Sequence, residues 1–173
     1  HTIIKRHGGV IDVFSHPGNG ATFTIYLPAH TEEYIEKTCE ICGKEKADFK
    51  NITVLIMDDE PQLRYIMEEV LKDEGAAIIQ AADGNEAIDI FEKRASTGEP
   101  VNIVIADLTI PGGMGGMEAV RILREQGLPF KAIVISGYST DPVISDYQSY
   151  GFDAYLVKPF SAEELLKVVN DVI

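Results

Sequence analysis

Short apolar segments recur along residues 51–173, and they predict the strands of a buried sheet. They are rich in Val and Ile, and apolar residues mostly do not alternate with polar ones. That pattern is typical of parallel strands covered on both faces. The segments are ITVLIM (52–57), AAIIQA (76–81), VNIVIA (101–106), KAIVIS (131–136) and DAYLVK (153–158).

Amphipathic helical periods separate these segments. Pro61 suits the first turn of the first helix, and Ser161 and Glu164 have the spacing of a capping box at the start of the last. The apolar residues of the five helices are Leu63, Ile66, Met67, Val70 and Leu71; Ala87, Ile88 and Phe91; Met117, Val120 and Leu123; Val143, Ile144 and Tyr147; and Leu165, Val169 and Val172. The alternation predicts an α/β fold, a flavodoxin-like doubly wound parallel sheet with strand order 2-1-3-4-5.

The first 50 residues follow a different pattern. Residues 1–30 predict a helix end, a stop at Gly8-Gly9, and two strands joined by a Pro-Gly-Asn-Gly turn, so that a β-hairpin remnant precedes the sheet. Residues 31–50 are charged and predict a linker. The predicted organisation is therefore a small piece (1–30), a linker (31–50) and an α/β domain (51–173).

Composition narrows the classes of function. The net charge of −13 argues against nucleic acid or an anionic membrane as a partner, because both attract basic surfaces. No apolar stretch approaches the ~18 residues that would span a bilayer. The first residues do not resemble a secretory leader, so a cytoplasmic location is expected.

The two cysteines, Cys39 and Cys42, form a C-x-x-C pair in the linker. Structural zinc needs about four ligands, and no partner pair is evident, so we do not expect zinc here. A site shared by two chains and a dithiol switch stay open as alternatives. The preferred interpretation is two ordinary cysteines in a reducing compartment.

Polar residues stand at the carboxyl ends of the apolar segments. Asp58 and Asp59 follow the first, Asp107 follows the third, and Ser136 and Lys158 end the fourth and fifth. Ligands bind beyond the carboxyl ends of parallel strands, so these side chains are expected to gather there. At ~4 Å and an effective dielectric of ~20, each pair of carboxylates would repel by about 4 kcal/mol, and Mg²⁺ would relieve that repulsion.

Such a group of side chains is suited to in-line phosphoryl transfer to an aspartate. That reaction needs a carboxylate nucleophile, a divalent cation, an ammonium group and a hydroxyl donor. Asp107 would attack, while Lys158 and the cation would neutralise charge on the phosphoryl oxygens. The simpler alternative is that the three aspartates are separate strand-end caps.

Four ordered motifs resemble the receiver domain of two-component signalling: VLIMDDEP, IADLTIPGGMGG, VISGYS and YLVKPF. The resemblance extends over about residues 52–173. The resemblance implies that Asp107 is the phosphoacceptor and that Asp59, Asp107 and the backbone carbonyl of Thr109 bind Mg²⁺, for which Mn²⁺ can substitute. It implies that Asp58 acts on the metal mainly through water. Ser136 and Lys158 would contact the phosphoryl group.

The resemblance carries further expectations. The Lys158–Pro159 bond should be cis. Tyr155 should turn inward with Ser136 on phosphorylation, and the readout face should comprise the fourth helix, fifth strand and fifth helix, in the region of Tyr138 and Tyr155. The chain departs from the family after the acceptor, where P-G-G-M-G-G is one residue longer than the usual P-x-M-[DN]-G.

The segment GNGATFTIYLP, in residues 1–30, resembles the end of the ATP-binding domain of sensor histidine kinases. Together the two resemblances imply that the chain is part of a bacterial hybrid histidine kinase. Attachment of that parent kinase to a membrane is compatible with the sequence. None of the four histidines is followed by Glu, and the ATP-site motifs are absent, so this chain should not autophosphorylate. The implied partners are a phosphohistidine domain, in its own or a partner kinase, and a downstream phosphotransfer protein; dimerisation stays open.

Two other classes of function compete with this interpretation. A pseudo-receiver would bind partners without chemistry, but the chain retains all five site residues. A metal-dependent phosphatase of the haloacid dehalogenase type would need a second acid two residues after Asp107, and Thr109 stands there. A receiver domain that accepts a phosphoryl group and hydrolyses it slowly is therefore the preferred prediction.

Overall fold

The computed structural model describes residues 2–18, 20–29, 49–137 and 141–173, and the chain divides into two compact units, His1–Glu45 and Lys46–Ile173. Cys39, Cys42, most of the predicted linker and Tyr138 lie outside the described residues. Within the part of the chain that is described, no helix combines the length and the apolarity needed to cross a bilayer.

The first unit contains the predicted helix end and hairpin. Helix α1 (Thr2–Arg6) precedes the antiparallel strands β1 (Val10–His16) and β2 (Gly20–Tyr26). Ile11 lies opposite Ile25 and Val13 opposite Phe23, so one face of the hairpin is apolar. These two strands do not cover that face themselves, and most of their side chains are exposed.

The second unit is built on a five-stranded parallel sheet with helices between the strands. The sheet order β4-β3-β5-β6-β7 is the predicted 2-1-3-4-5 order, which confirms the fold class. The elements are β3 (Thr53–Met57), α2 (Pro61–Asp73), β4 (Ala77–Ala81), α3 (Gly84–Thr97), β5 (Ile103–Asp107), α4 (Gly116–Glu125), β6 (Lys131–Ser136), α5 (Pro142–Ser145), a 3₁₀ helix (Tyr147–Tyr150), β7 (Ala154–Val157) and α6 (Ala162–Val172).

Apolar layers pack on both faces of the sheet, which explains why the strands do not alternate in polarity. Along β3, Val54 and Ile56 pack on one face, whereas Leu55 and Met57 pack on the other. Phe49, which the sequence placed in the linker, is 1% exposed and belongs to the layer of Val54 and Ile56. The domain therefore includes residues just before its first strand.

The helix ends follow the chemistry of their sequences. Pro61 occupies the first turn of α2, and the Asp83 side chain caps α3 by accepting a hydrogen bond from the Glu86 N–H. The Ser161–Glu164 capping box is present at the start of α6, as the spacing predicted.

The predicted fourth helix is broken in two. Helix α5 is four residues long, and a 3₁₀ helix of four residues follows it. Between them, Asp146 has φ −139° and ψ 44°, which is not helical. Val143 and Ile144 are buried and Tyr147 packs against the same core, so the apolar spacing was informative about burial but not about a continuous helix.

Arg124 ties α4 to the loops that precede β6 and β7. Its guanidinium donates to the Phe130 and Gly151 carbonyls and to Asp153 Oδ2, the last at 2.7 Å. Asp153 also accepts from the Ala132 N–H at 2.8 Å and from Lys131. Burial works against the charged carboxylate, but these donors together lower the pKa of Asp153 below its ordinary value.

Candidate active site

The predicted site residues lie at the carboxyl edge of the sheet. Asp58 directly follows β3, Asp107 and Ser136 are the last residues of β5 and β6, and Lys158 directly follows β7. The Lys158 N–H donates to the Ser136 carbonyl at 2.8 Å, which continues the ladder between β6 and β7 beyond the end of β7. The topology therefore brings together side chains that are up to 100 residues apart in sequence.

Lys158 bridges two buried carboxylates. Its Nζ atom lies 2.6 Å from Asp107 Oδ2 and 2.7 Å from Asp58 Oδ2, and Glu60 Oε1 is 3.9 Å away. The Asp58 side chain is fully buried and that of Asp107 nearly so, whereas Lys158 retains some exposure. A buried carboxylate needs such a partner, because leaving it unpaired would cost several kcal/mol.

The second oxygen of each carboxylate holds the loop that follows it. Asp58 Oδ1 accepts from the Glu60 N–H at 2.8 Å, and Asp107 Oδ1 accepts from the Thr109 N–H at 3.0 Å. These are Asx-type turns, in which an aspartate bonds the backbone two residues on. Both carboxylates are thus oriented at each oxygen before any ligand binds.

The burial and charges of the site shift two pKa values. Burial raises the pKa of Asp107, and the negative charge of Asp58 adds to that, although Lys158 and the Thr109 N–H act in the opposite direction. For Lys158, burial opposes the charged form, but Asp107 and Asp58 outweigh burial and raise the pKa. Lys158 is therefore protonated at neutral pH.

The donor set fits Mg²⁺. Carboxylate oxygens of Asp58, Asp59 and Asp107 all lie within 4.8 Å of one another, and Asp59 is exposed to solvent. Mg²⁺ prefers hard oxygen ligands and retains several waters, so an edge-of-sheet cluster with one open side suits it. The single ammonium of Lys158 contacts two of these three carboxylates and leaves charge for a cation to neutralise.

The glycines after Asp107 let the loop fold back on Asp107. A Cβ atom on Gly116 would lie 2.7 Å from the Asp107 carbonyl oxygen, and one on Gly115 would lie 2.4 Å from that of Leu108. Met114 packs on Gly84, whose N–H donates to the Met114 carbonyl at 2.9 Å. The close approach of backbone to backbone explains the glycines at 115 and 116.

Tyr155 lies on the exposed face of β7. The side chain is 45% exposed, and its ring centroid lies 5.2 Å from that of Tyr147 in the 3₁₀ helix. Ser136 is buried at the end of β6, and the Lys158–Pro159 bond is cis, as predicted. The tyrosine therefore points outward in this structure.

One contact to the site was not predicted. Arg64, in the first turns of α2, donates from Nη1 to the Asp58 carbonyl at 2.5 Å and from Nε to Gln80 Oε1 at 3.1 Å. Sequence spacing does not reveal this pair, because Gln80 reaches Arg64 from the neighbouring strand β4. In the sequence, this contact is signalled only by the position of Arg64 shortly after the aspartates that end the first strand.

Comparison with known proteins gives a consistent result. The family model described as the response regulator receiver domain matches residues 54–170. Sensor kinase CckA of Brucella abortus is 33% identical over an alignment 177 residues long, which covers 99% of this chain and 18% of that kinase. Sporulation initiation phosphotransferase F of Bacillus subtilis is 30% identical over 69% of this chain and 92% of its own length.

A solved structure agrees with the sequence matches. The structure described as the CheX-CheY-BeF3-Mg+2 complex from Borrelia burgdorferi superposes with a TM-score of 0.64 at 28% identity, over 70% of this chain and 88% of that one. The chain spans less than a fifth of the length of the Brucella kinase, whereas it covers nearly all of the Bacillus phosphotransferase. The residues matched by the family model lie within the α/β unit.

Proposed function

Because this chain belongs to the response regulator receiver domain family, we propose that Asp107 accepts a phosphoryl group from a phosphohistidine of a histidine kinase or phosphotransfer protein. One observation carries the assignment to this residue. Asp107 is the carboxylate that ends the central strand β5, and its Oδ2 atom lies 2.6 Å from the Lys158 ammonium nitrogen.

The residues of the site have separate parts in the reaction. A carboxylate oxygen of Asp107 attacks phosphorus, the bond from phosphorus to the donor imidazole nitrogen breaks, and the electron pair leaves with the imidazole. Lys158 and the Ser136 hydroxyl stabilise the charge on the phosphoryl oxygens. In the return step water attacks phosphorus, which releases inorganic phosphate and regenerates the carboxylate.

Asp58, Asp59, Asp107 and the Thr109 carbonyl would hold Mg²⁺, or Mn²⁺ in its place, with Asp58 acting mainly through water. When bound, the cation supplies charge neutralisation for the phosphoryl oxygens. The raised pKa of Asp107 indicates a carboxylate whose charge is poorly solvated, which favours a cationic partner. Lys158 then turns from bridging two carboxylates to pairing with the phosphoryl group.

Tyr155 and Ser136 would transmit the change. In the proposal Ser136 bonds the phosphoryl group, and Tyr155 leaves its contact with Tyr147 and turns inward. The readout face comprises α5, the 3₁₀ helix, β7 and α6. A ligand shifts such an equilibrium only through its different affinity for the two states, and here that difference arises at Ser136.

The N-terminal unit supports a hybrid kinase context. The match to the Brucella sensor kinase covers 99% of this chain and therefore includes the hairpin. We infer that residues 1–30 are the end of a kinase ATP-binding domain, which would complete the sheet that the hairpin leaves open. The phosphohistidine donor would then belong to the same kinase or to a partner kinase.

Incubation with Mg²⁺ and acetyl phosphate, followed by intact mass measurement, tests the function. We expect one added phosphoryl group on the chain and none on Asp107→Asn. Asp89→Asn, an exposed carboxylate on α3, is the matched control and should behave as the unchanged protein. Absence of any adduct, with Mg²⁺ and with beryllofluoride, would indicate a binding module without chemistry, and rapid turnover of many phosphate esters would indicate a phosphatase.

A further inference from the structure

We propose that Arg64 is a positioning residue for the acidic turn Asp58–Asp59, and this inference rests on the proposed role of that turn in binding Mg²⁺. The guanidinium joins two elements that meet at the turn. Nη1 donates to the Asp58 carbonyl at 2.5 Å, and Nε donates to Gln80 Oε1 on β4 at 3.1 Å. Arg64 thereby fixes the orientation of the peptide that connects the two aspartates.

Gln80 is itself held in place. Its amide nitrogen donates to Glu68 Oε2, and Glu68 forms an ion pair with Lys72 one turn further along α2. Arginine cannot accept a hydrogen bond and a carboxylate cannot donate one, so only one orientation of the Gln80 amide satisfies both neighbours. The chain of contacts from Lys72 to the Asp58 carbonyl is therefore a defined series of donors and acceptors.

The other groups of Asp58 have anchors of their own. Its N–H donates to the Ala81 carbonyl at 3.2 Å, and its carboxylate binds the Glu60 N–H and Lys158. With the carbonyl on Arg64, every polar group of Asp58 is engaged. The carbonyl is the group whose direction determines where the next residue points.

Asp59 depends most on this arrangement. Its side chain is exposed, and no hydrogen bond or ion pair to its carboxylate is found among the residues that the structure describes. Its position relative to Asp58 and Asp107 is therefore set by its backbone. Because the Asp58–Asp59 peptide is oriented by Arg64, loss of that contact should loosen the 4.8 Å grouping of the three carboxylates.

Arg64→Lys separates geometry from charge. Lysine retains the positive charge near the acidic turn, but its single ammonium cannot reproduce the planar fork that reaches the Asp58 carbonyl and Gln80 together. Partners that orient metal ligands without touching the metal typically contribute about 10- to 100-fold in affinity, so we expect a loss of about 10-fold for Mg²⁺.

Isothermal titration with Mg²⁺ provides the first measurement, at a temperature where thermal unfolding shows each variant to be folded. Arg121→Lys is the matched control, because Arg121 is an exposed arginine on α4 that pairs only with Glu125 among the described residues. Gln80→Leu leaves Arg64 charged but removes its second contact, and it should weaken Mg²⁺ binding in the same direction by a smaller factor.

Amide hydrogen exchange in the absence of metal provides the second measurement. The Glu60 amide, which donates to Asp58 Oδ1, should exchange faster in Arg64→Lys than in Arg121→Lys, while amides of β5 and β6 stay equally protected in both. A change that is confined to the turn would not follow from a general loss of stability. This arm depends on neither Mg²⁺ nor phosphorylation.

The outcomes separate the two proposals. If the unchanged protein binds no Mg²⁺, the proposed function fails, and the exchange rates alone decide whether Arg64 holds the turn. If the unchanged protein binds Mg²⁺ and Arg64→Lys binds it within about twofold as tightly, far from the effect of an orienting partner, the positioning role is overturned. Unchanged exchange of the Glu60 amide would overturn it as well.

Discussion

Lys158 Nζ lies 2.6 Å from Asp107 Oδ2, so the residue assigned as acceptor forms an ion pair before any phosphoryl group arrives. The same ammonium lies 2.7 Å from Asp58 Oδ2. Lys158 therefore has two roles. It stabilises the fold before phosphorylation, and in our proposal it pairs with the phosphoryl group once Asp107 is phosphorylated.

Lys158→Met should destabilise the metal-free protein by about 3 kcal/mol, because the buried Asp58 carboxylate loses its partner. Mg²⁺ should restore more stability to this variant than to the unchanged protein, since the cation no longer competes with an ammonium. Urea unfolding with and without Mg²⁺ measures both effects. Lys93→Met, at an exposed position on α3, is the control, and an equal loss with and without Mg²⁺ would contradict the expectation.

Gly116→Ala should disturb Asp107 directly. The added Cβ would approach the Asp107 carbonyl oxygen to 2.7 Å, and relief of that contact should cost about 2 kcal/mol and move the Asp107 peptide. The variant should unfold at lower urea concentration and react more slowly with acetyl phosphate. A Cβ atom on Gly137 would meet no atom of the described residues within 4 Å, so Gly137→Ala should leave the urea midpoint unchanged. An equal loss of stability in the two variants would argue against a tight loop.

Asp153→Asn should reveal a pH-dependent contribution to stability. The pKa of Asp153 is lowered in the folded state, so its ionised form stabilises the fold above the unfolded pKa of about 3.9, and that stability is lost as pH falls through the lower folded value. The variant should be less stable by about 2 kcal/mol near neutral pH, through weaker bonds to Arg124 and Ala132.

The gap between Asp153→Asn and the unchanged protein should begin to narrow as the pH falls below the unfolded pKa of about 3.9, and it should close only below the lower folded pKa, where the Asp153 carboxyl is also uncharged. Urea unfolding across this pH range is the measurement. Asp89→Asn, on the exposed face of α3, should show no comparable gap at any pH. A gap that is constant with pH would mean that the Asp153 charge is not what stabilises the clamp around Arg124.

Tyr147→Ala should make the proposed activation easier. The contact between the Tyr147 and Tyr155 rings favours the outward tyrosine, and aromatic pairs contribute about 0.5–1.5 kcal/mol. Removing it should let beryllofluoride saturate the protein at a concentration lower by up to about tenfold, read by NMR shifts of β7. Tyr65→Ala, an exposed tyrosine on α2, serves as the control, and a higher required concentration in Tyr147→Ala would refute the idea.

Some of the structure could be predicted because it depends on local pattern and topology. The strand order and the meeting of Asp58, Asp107 and Lys158 follow from apolar segments that end in polar residues at one edge of a parallel sheet. The Ser161–Glu164 cap follows from spacing alone.

Other parts depend on contacts that no sequence pattern encodes. The contact of Arg64 with Gln80 joins a helix to a neighbouring strand, and only the packed geometry shows that the two side chains meet. The fourth helix was predicted as continuous because Val143, Ile144 and Tyr147 have helical spacing, but burial of these residues does not require helical backbone at Asp146.

That interruption bears on how the readout face would meet other proteins. Helix α5 and the 3₁₀ helix are four residues each, which is too short for a helix to be stable in isolation. Their conformation therefore depends on packing against the core, in which Val143 and Ile144 are buried. Such a surface is more adaptable in conformation than one formed by a long continuous helix. In our proposal, different partner proteins would therefore stabilise different conformations of this face while the chemistry at Asp107 stays the same.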